Sequence, residues 1–590
     1  MTKPTDTPGT AGAPSRRRLL AGAAGAGLAV AAGVQQGARA ADLPPLGTYD
    51  VVVIGSGAAG MTAALTAAHQ GLSCVVVEKA PTFGGSAARS GAGIWIPNNS
   101  VILAAGVPDT PAKAAAYLAA VVGPDVPADR QRAFLTHGPA TISFVMAHSP
   151  LRFRWMEGYS DYYPELPGGL PNGRSIEPDQ LDGNLLGAEL AHLNPPYMDV
   201  PAGMVVFSAD YKWVALAAVN ARGAAVAAQC LARGAKAATL GQKPLTMGQA
   251  LAAGLRAGLR SAGVPVWLDT PLTDLHVENG RVTGAVVTRD GAPGLLRARR
   301  GVIVGSGGFE HNAQMRQRFQ RQPIGTEWTV GAKENTGDGI RAGERLGAAL
   351  DLMDDAWWGP AIPVPGQPYF CLAERTLPGG LLVNGAGRRF VNEAAPYSDV
   401  VHTMYEEREA IPSWLITDQN YRNRYLFKDV LPTLPLPDAW YASGAAHKEW
   451  TLDALAASIG VPAAALRTSV SRFNAQALQG EDPDFHRGDS AYDHYYTDPS
   501  VLPNSCLAPL WLPPYHAFRI VPGDLGTKGG LRTDARARVL REDGSVIPGL
   551  YAAGNASAAV MGHSYAGAGS TIGPAMTFGH IAAKDAAGVL

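Results

Sequence analysis

The sequence predicts an α/β protein whose parallel sheet is interrupted by a long inserted segment of mixed α+β character. Three observations predict it. Residues 49–54 form a continuous apolar strand that runs straight into a glycine turn and a helix. A second junction of apolar strand and glycine lies at residues 301–309, and a third, far downstream, at 549–555. Strands apolar on both faces belong to buried parallel sheets. The two ends of the chain must therefore meet in one sheet, and much of what lies between them forms a second unit.

Length and composition agree with that plan. A chain of 590 residues is too long for one ordinary domain and long enough for large cores. A net charge of −1 with no basic stripe argues against a nucleic-acid partner. The four cysteines, Cys74, Cys230, Cys371 and Cys506, are far apart, with neither metal-type spacing nor a dense disulfide framework. The histidines show no ligand spacing, so no metal is expected, and His516 and His563 read as structural.

Residues 1–40 read as a leader rather than part of the fold. A polar, Pro- and Gly-rich start precedes Ser15-Arg16-Arg17-Arg18-Leu19-Leu20, a short apolar run and Ala38-Arg39-Ala40. A basic patch, an apolar stretch and a small-x-small cleavage site make an export signal, and the paired arginines resemble a twin-arginine signal. The expected destination is the periplasm or cell envelope. No later segment is apolar enough to span a membrane, which leaves only peripheral membrane contact. The Ala/Leu-rich stretch 204–263 is interrupted by Lys212, Arg222, Arg233 and Lys236 and reads as packed helices.

The first glycine unit is Gly55-Ser56-Gly57-Ala58-Ala59-Gly60, followed by a helix over 61–69 and a strand over 72–77 that ends at Glu78. Gly55 suits the tight turn and Gly57 lets the backbone approach a pyrophosphate. Gly60 lets helix and strand pack closely, and the helix N-terminus offers N–H groups to phosphate. Glu78 stands where a ribose hydroxyl would donate. Strand, helix, second strand and acid in register make a Rossmann-type dinucleotide site.

Flavin rather than nicotinamide follows from the next segments. Gly84-Gly85-Ser86 and Ser90-Gly91-Ala92-Gly93 form a second glycine-rich turn, suited to a chain running along the pyrophosphate and ribityl of FAD. No histidine beside Gly84-Gly85 is available to attach the flavin, so the FAD is expected to be non-covalent. Downstream, 266–275 and 276–288 alternate like strands around Glu278-Asn279-Gly280. The last helix begins after Gly569-Ser570-Thr571-Ile572-Gly573-Pro574, with Ser570 as its expected N-cap. Its positive end would stabilise an anionic reduced flavin.

Further motifs are Asn335-Thr336-Gly337-Asp338-Gly339, Asp351-Leu352-Met353-Asp354 with Trp357-Trp358, and Arg389-Phe390-Val391-Asn392-Glu393 with Pro396-Tyr397. Two more are Leu525-Gly526-Thr527-Lys528-Gly529-Gly530-Leu531 and the stretch 551–573. Together with the glycine turns they resemble the fumarate reductase/succinate dehydrogenase flavoprotein superfamily, and within it the bacterial 3-ketosteroid 1-dehydrogenases. One position separates the branches. Fumarate reductases carry an Arg four residues after the Asn-Glu pair, whereas this chain has Tyr397. Arg suits a dicarboxylate by charge and fork geometry; a phenol suits a neutral ketone.

The resemblance implies a discontinuous Rossmann-type FAD-binding domain over 46–356 and 527–590, with an inserted α+β substrate-capping catalytic domain over 357–526. It implies flavin contacts at Gly55, Ser56, Gly57, Ala58, Ala59, Gly60, Glu78 and Lys79, then at Gly85, Ser86, Ser90, Gly91, Gly93 and Ile94. The remaining contacts are expected at Gly307, Asp338, Gly554, Asn555, Ser570 and Ile572. Tyr397 matches the base that removes a proton from steroid C2. Tyr565 and the backbone N–H of Gly569 match the pair that holds the C3 carbonyl oxygen. A third tyrosine, assisting the base, falls at Tyr162, with Tyr159 and Tyr163 as alternatives.

The implied activity is C1–C2 desaturation of a 3-ketosteroid, with a quinone-like or dye electron acceptor. The alternatives are C4–C5 dehydrogenation of a 5α-ketosteroid or reduction of an unsaturated acid. A free phenol is ionised in only about one molecule in a thousand at pH 7, so the base needs help from its neighbours. The chain departs from the family at Tyr565-Ala566-Gly567-Ala568-Gly569-Ser570-Thr571, where Ser570-Thr571 replaces the usual Asn-Pro. Trp357 and Trp358 read as core at the junction of the two domains.

Overall fold

The computed structural model describes residues 43–200 and 203–590, and the leader reading at 1–40 lies outside the described residues. An eight-stranded sheet runs in the order Arg538–Leu540, Val546–Ala552, Ala292–Val304, Pro45–Ile54, Cys74–Val77, Val266–Trp267. Arg281–Arg289 and Leu272–Glu278 continue from Ala292–Val304 as an antiparallel branch. The central pairings are parallel, with Val53 opposite Ile303 and Ile303 opposite Tyr551. A strand near the end of the sequence thus lies one place from the first. Val51, Val52 and Val53 are fully buried, because helices cover one face and the antiparallel branch the other.

The helix Ala58–His69 packs against the last helix, Ile572–Ala587, and against Met247–Ser261. Their approach is close enough that a Cβ on Gly579 would overlap the Ala59 carbonyl. Ser208–Val214 and Ala221–Thr239 are helices as expected, but Ala221–Thr239 buries only Gly223, Cys230 and Ala237, so it rides on an edge rather than in the core. No described helix is long and apolar enough to cross a membrane. All four cysteines are buried free thiols.

A second sheet of six strands is antiparallel throughout. Its order is Tyr369–Phe370, Ala356–Ile362, Tyr515–Thr527, Ser413–Thr417, Gly380–Val383, with Ala446–Glu449 also on Tyr515–Thr527. Ala356 pairs with Thr527 in this sheet, so the chain enters and leaves it side by side. The helix Tyr397–Glu406 packs across Ala356–Ile362.

Candidate active site

The glycine turn after the first strand adopts the shape its residues require. Gly55 has φ +97° and backs onto the Gly305 carbonyl; Gly60 has no room for a Cβ because the Gly55 carbonyl oxygen occupies it. Gly57 differs: a Cβ there would meet no protein atom within 4 Å. It caps the helix Ala58–His69 without any side-chain cap, which leaves the first N–H groups free. Gly55 and Gly57 form part of the wall of a cavity of about 1120 Å³. That exceeds the roughly 300–1,000 Å³ of ordinary ligand pockets, so it has room for a dinucleotide and a second ligand together.

The residues present fit FAD. Free helix N–H groups and the open space over Gly57, on the cavity wall, both suit a polar, anionic ligand. The cavity wall takes in Gly55, Gly57, Ala58, Ala59, Glu78, Lys79, Gly85, Ser86, Ser90, Gly91 and Gly93. It continues through Gly307, Asp338, Gly554, Asn555 and Ile572.

Four expected contacts stand behind the wall instead. Ser56 is fully buried and donates from both N and Oγ to Glu78 Oε2, at 2.9 and 2.7 Å, and its Oγ accepts from Gly84 N at 3.1 Å. It braces the two glycine turns together. Gly60 is consumed by packing and Ile94 is core. Ser570 does not cap the last helix: its hydroxyl is turned back onto Gly567, and Thr571 occupies the cap position with no side-chain cap bond. Lys79 and Asp338 line the wall but are paired with each other at 2.8 Å, so their charges largely cancel locally.

The tyrosines gather at the other end of the same cavity. Tyr162 donates to the Tyr397 hydroxyl at 2.9 Å, and the Tyr565 ring lies 5.1 Å from that of Tyr397 and 5.2 Å from that of Tyr162. Tyr162, Tyr397, Tyr565 and Gly569 all line the cavity. Of the alternatives, Tyr163 donates to Asp399 Oδ1 at 2.8 Å, two residues beyond Tyr397, and Tyr159 stacks on Tyr495. Asp161 anchors the segment by accepting from Trp95 Nε1 at 2.8 Å and pairing with buried Arg174.

Different elements aim these groups. Tyr397 opens the helix Tyr397–Glu406, and Tyr565 and Gly569 sit in the loop before the last helix. Gly569 has φ +100°, and a Cβ there would overlap the Gly93 carbonyl, so only glycine brings its N–H to this point. Burial pushes the Tyr397 phenol well above its ordinary value, and the bond from Tyr162 lowers it only in part. Burial also raises Tyr565, opposed by hydrogen bonds with Thr571, Tyr397 and the Gly569 backbone.

Thr571 was legible only as part of a helix start. Its Oγ1 lies 3.1 Å from the Tyr565 hydroxyl. The departure from Asn-Pro was the one available signal. Trp357 also does more than fill core: its Nε1 donates to Asn555 at 3.0 Å while its ring meets Tyr565 edge-on at 5.0 Å. Among the described residues no group of three or more His, Cys, Asp or Glu could hold a metal.

Fold and site together define a flavoprotein oxidoreductase, with a dinucleotide cradle opening onto a cluster of phenols. Residues 50–572 match the family model described as FAD binding domain. The 3-oxosteroid 1-dehydrogenase of Mycolicibacterium smegmatis is 55% identical over 91% of this chain and 97% of that protein. The 4-oxocyclohexanecarboxylate 2-dehydrogenase of Sinomonas cyclohexanicum is 35% identical over 92% of this chain and 94% of its own. Among solved structures, the 3-ketosteroid delta1-dehydrogenase of Sterolibacterium denitrificans in complex with 1,4-androstadiene-3,17-dione has TM-score 0.88. It shares 42% identity, with 92% of this chain and 100% of that one covered. The chain belongs to the 3-oxosteroid 1-dehydrogenase family of FAD-binding proteins.

Proposed function

We propose that the protein desaturates the A ring of 3-ketosteroids between C1 and C2. The observation that carries this is the convergence of Tyr162, Tyr397, Tyr565 and Gly569 on one cavity shared with the nucleotide cradle. Relatives named for steroid and for cyclohexanone-type substrates share a ring ketone, and this chain offers that ketone phenols where a dicarboxylate would need Arg.

Bound FAD supplies the acceptor for the hydride that leaves C1. The chain's own residues prepare that step. The Tyr565 hydroxyl and the Gly569 N–H are placed to hold the C3 oxygen and stabilise the enolate that develops there. Tyr397 takes the C2 proton, and Tyr162, donating to the Tyr397 oxygen, stabilises the ionised phenol. The buried ring cluster keeps water from the enolate.

The sheets support an FAD-binding domain in two pieces, 46–356 and 527–590, capped by 357–526, since Ala356 and Thr527 pair at the entry to the second sheet. Paired arginines and Ala38-Arg39-Ala40 support export by a twin-arginine route and cleavage near Ala41, which N-terminal sequencing of exported protein checks. The reaction is tested with 4-androstene-3,17-dione, a 5α-reduced ketosteroid and fumarate, with product identification. A 1,4-dienone from the first substrate is the expected result. Turnover of fumarate alone, or a 4-ene from the 5α-ketosteroid with no 1,4-dienone, would overturn the reading.

A further inference from the structure

A buried ion pair stands where the chain crosses between the two sheets. Asp355 precedes the strand Ala356–Ile362 and Lys528 follows Tyr515–Thr527, just outside the Ala356/Thr527 pairing. Lys528 Nζ lies 2.9 Å from Asp355 Oδ2, with side chains 0% and 1% exposed. The backbone repeats the link, Lys528 N donating to the Asp355 carbonyl at 3.2 Å.

Each partner reaches on toward one catalytic tyrosine. Lys528 Nζ also donates to the carbonyl of Ser564, the residue before Tyr565, at 3.1 Å. It stands 5.0 Å from the centre of the Trp357 ring, whose own edge-on neighbour is Tyr565. On the other side, Asp355 Oδ1 pairs with His402 Nε2 at 2.8 Å, and His402 belongs to the helix Tyr397–Glu406. Trp358 Nε1 donates to the same oxygen at 2.5 Å.

We infer that the Asp355–Lys528 pair is a positioning unit for the reaction, holding the loop that carries Tyr565 in register with the helix that carries Tyr397. The inference rests on the roles proposed for those tyrosines. A buried ion pair is weak evidence of stability alone, since well-packed apolar residues often serve as well. What apolar residues would not supply is direction. Lys528 has three donors, and two of them are fixed on a carboxylate and a carbonyl that belong to different parts of the site. Loose placement of the phenols by about 1 Å costs rate out of proportion to any loss of fold.

The test is a double-mutant cycle on flavin-loaded enzyme. Lys528→Met removes the ammonium, and Lys528→Met with Asp355→Asn also avoids stranding a buried carboxylate. Each is made with Tyr565 intact and with Tyr565→Phe. Turnover of 4-androstene-3,17-dione should fall about tenfold when Tyr565 is present and less than about twofold when it is absent, because coupled sites are not additive. Lys528→Arg, which keeps the charge, should recover part of the turnover. Equal losses in both backgrounds, no loss in the first, or failure of both variants to retain flavin would overturn the inference. Wild-type turnover by Tyr565→Phe alone would instead overturn the role proposed for Tyr565, and with it this dependent inference.

Discussion

A single oxygen atom separates Tyr397 from phenylalanine, and the proposed proton transfer depends on it. Tyr397→Phe should keep its packing against Tyr162, Phe370 and Tyr565. General base catalysis is worth roughly 10²–10⁴-fold, so turnover should fall at least about a hundredfold with flavin content unchanged. Near-normal turnover would remove Tyr397 from the mechanism. The raised phenol also fixes the direction of the pH profile. Tyr397 must lose its proton before it can take one, and burial moves that ionisation upward. The wild-type rate should therefore still be climbing at about pH 11, where a base with the ordinary phenol pKa of about 10 would already be levelling. Thr571→Val deletes the hydroxyl beside Tyr565; one neutral hydrogen bond, worth about 1 kcal/mol, predicts a loss of about fivefold in turnover. An unchanged rate would make the contact incidental.

At the scale of elements, what was legible in the sequence was what the backbone dictates locally. Gly55, Gly57 and Gly60 announced a strand, turn and helix, because each position excludes or tolerates a Cβ for a reason that neighbouring residues reveal. The tyrosines were legible only through their motifs. Partners supplied by remote segments were not: Ser56 with Glu78, Lys79 with Asp338 and Tyr163 with Asp399 join residues 22, 259 and 236 positions apart. Such pairings follow from the fold and leave no local periodicity. Ser570 shows the same limit, since a good N-cap residue in the right place is claimed by Gly567. Gly569 gives the element-scale prediction. An added methyl would clash with Gly93 at φ +100°, moving the start of the last helix. Gly569→Ala should lose both steroid binding and flavin occupancy, read by the flavin absorbance of purified protein. Full occupancy with normal binding would show that the loop yields without cost.

Over the whole molecule, distant segments are also tied by charge. His563, two residues before Tyr565, sits 3.0 Å from Asp125 and 3.5 Å from Asp354. The bond with Asp354 raises its pKa to about 9, against a burial effect that lowers it, and Asp125 adds to the rise. A folded-state value above the ordinary 6.5 means a contribution present in full below that pH and lost as the pH climbs through about 9. Asp354 is correspondingly lowered, chiefly by its bond with His563, so the same contact also fades in acid. Melting temperatures of the wild type and His563→Gln should differ most near pH 5–6.5, a window of approximate limits set by those ordinary values, and converge above about pH 10. A constant difference across that range would mean the histidine stays neutral.

The nucleotide cradle and the phenols line one continuous cavity, and this ties the two ligands' binding energies together. Whatever factor the bound flavin adds to ketosteroid affinity, the ketosteroid must return to the flavin, since coupling free energies are reciprocal. A product such as the 1,4-dienone should then slow flavin loss during dilution or mild heating, and apoprotein should hold the steroid poorly. Equal rates of flavin loss with and without saturating steroid would mean that the two ends of the cavity act as separate rooms. If the steroid slows the loss, the ligand the enzyme works on also helps it keep its cofactor.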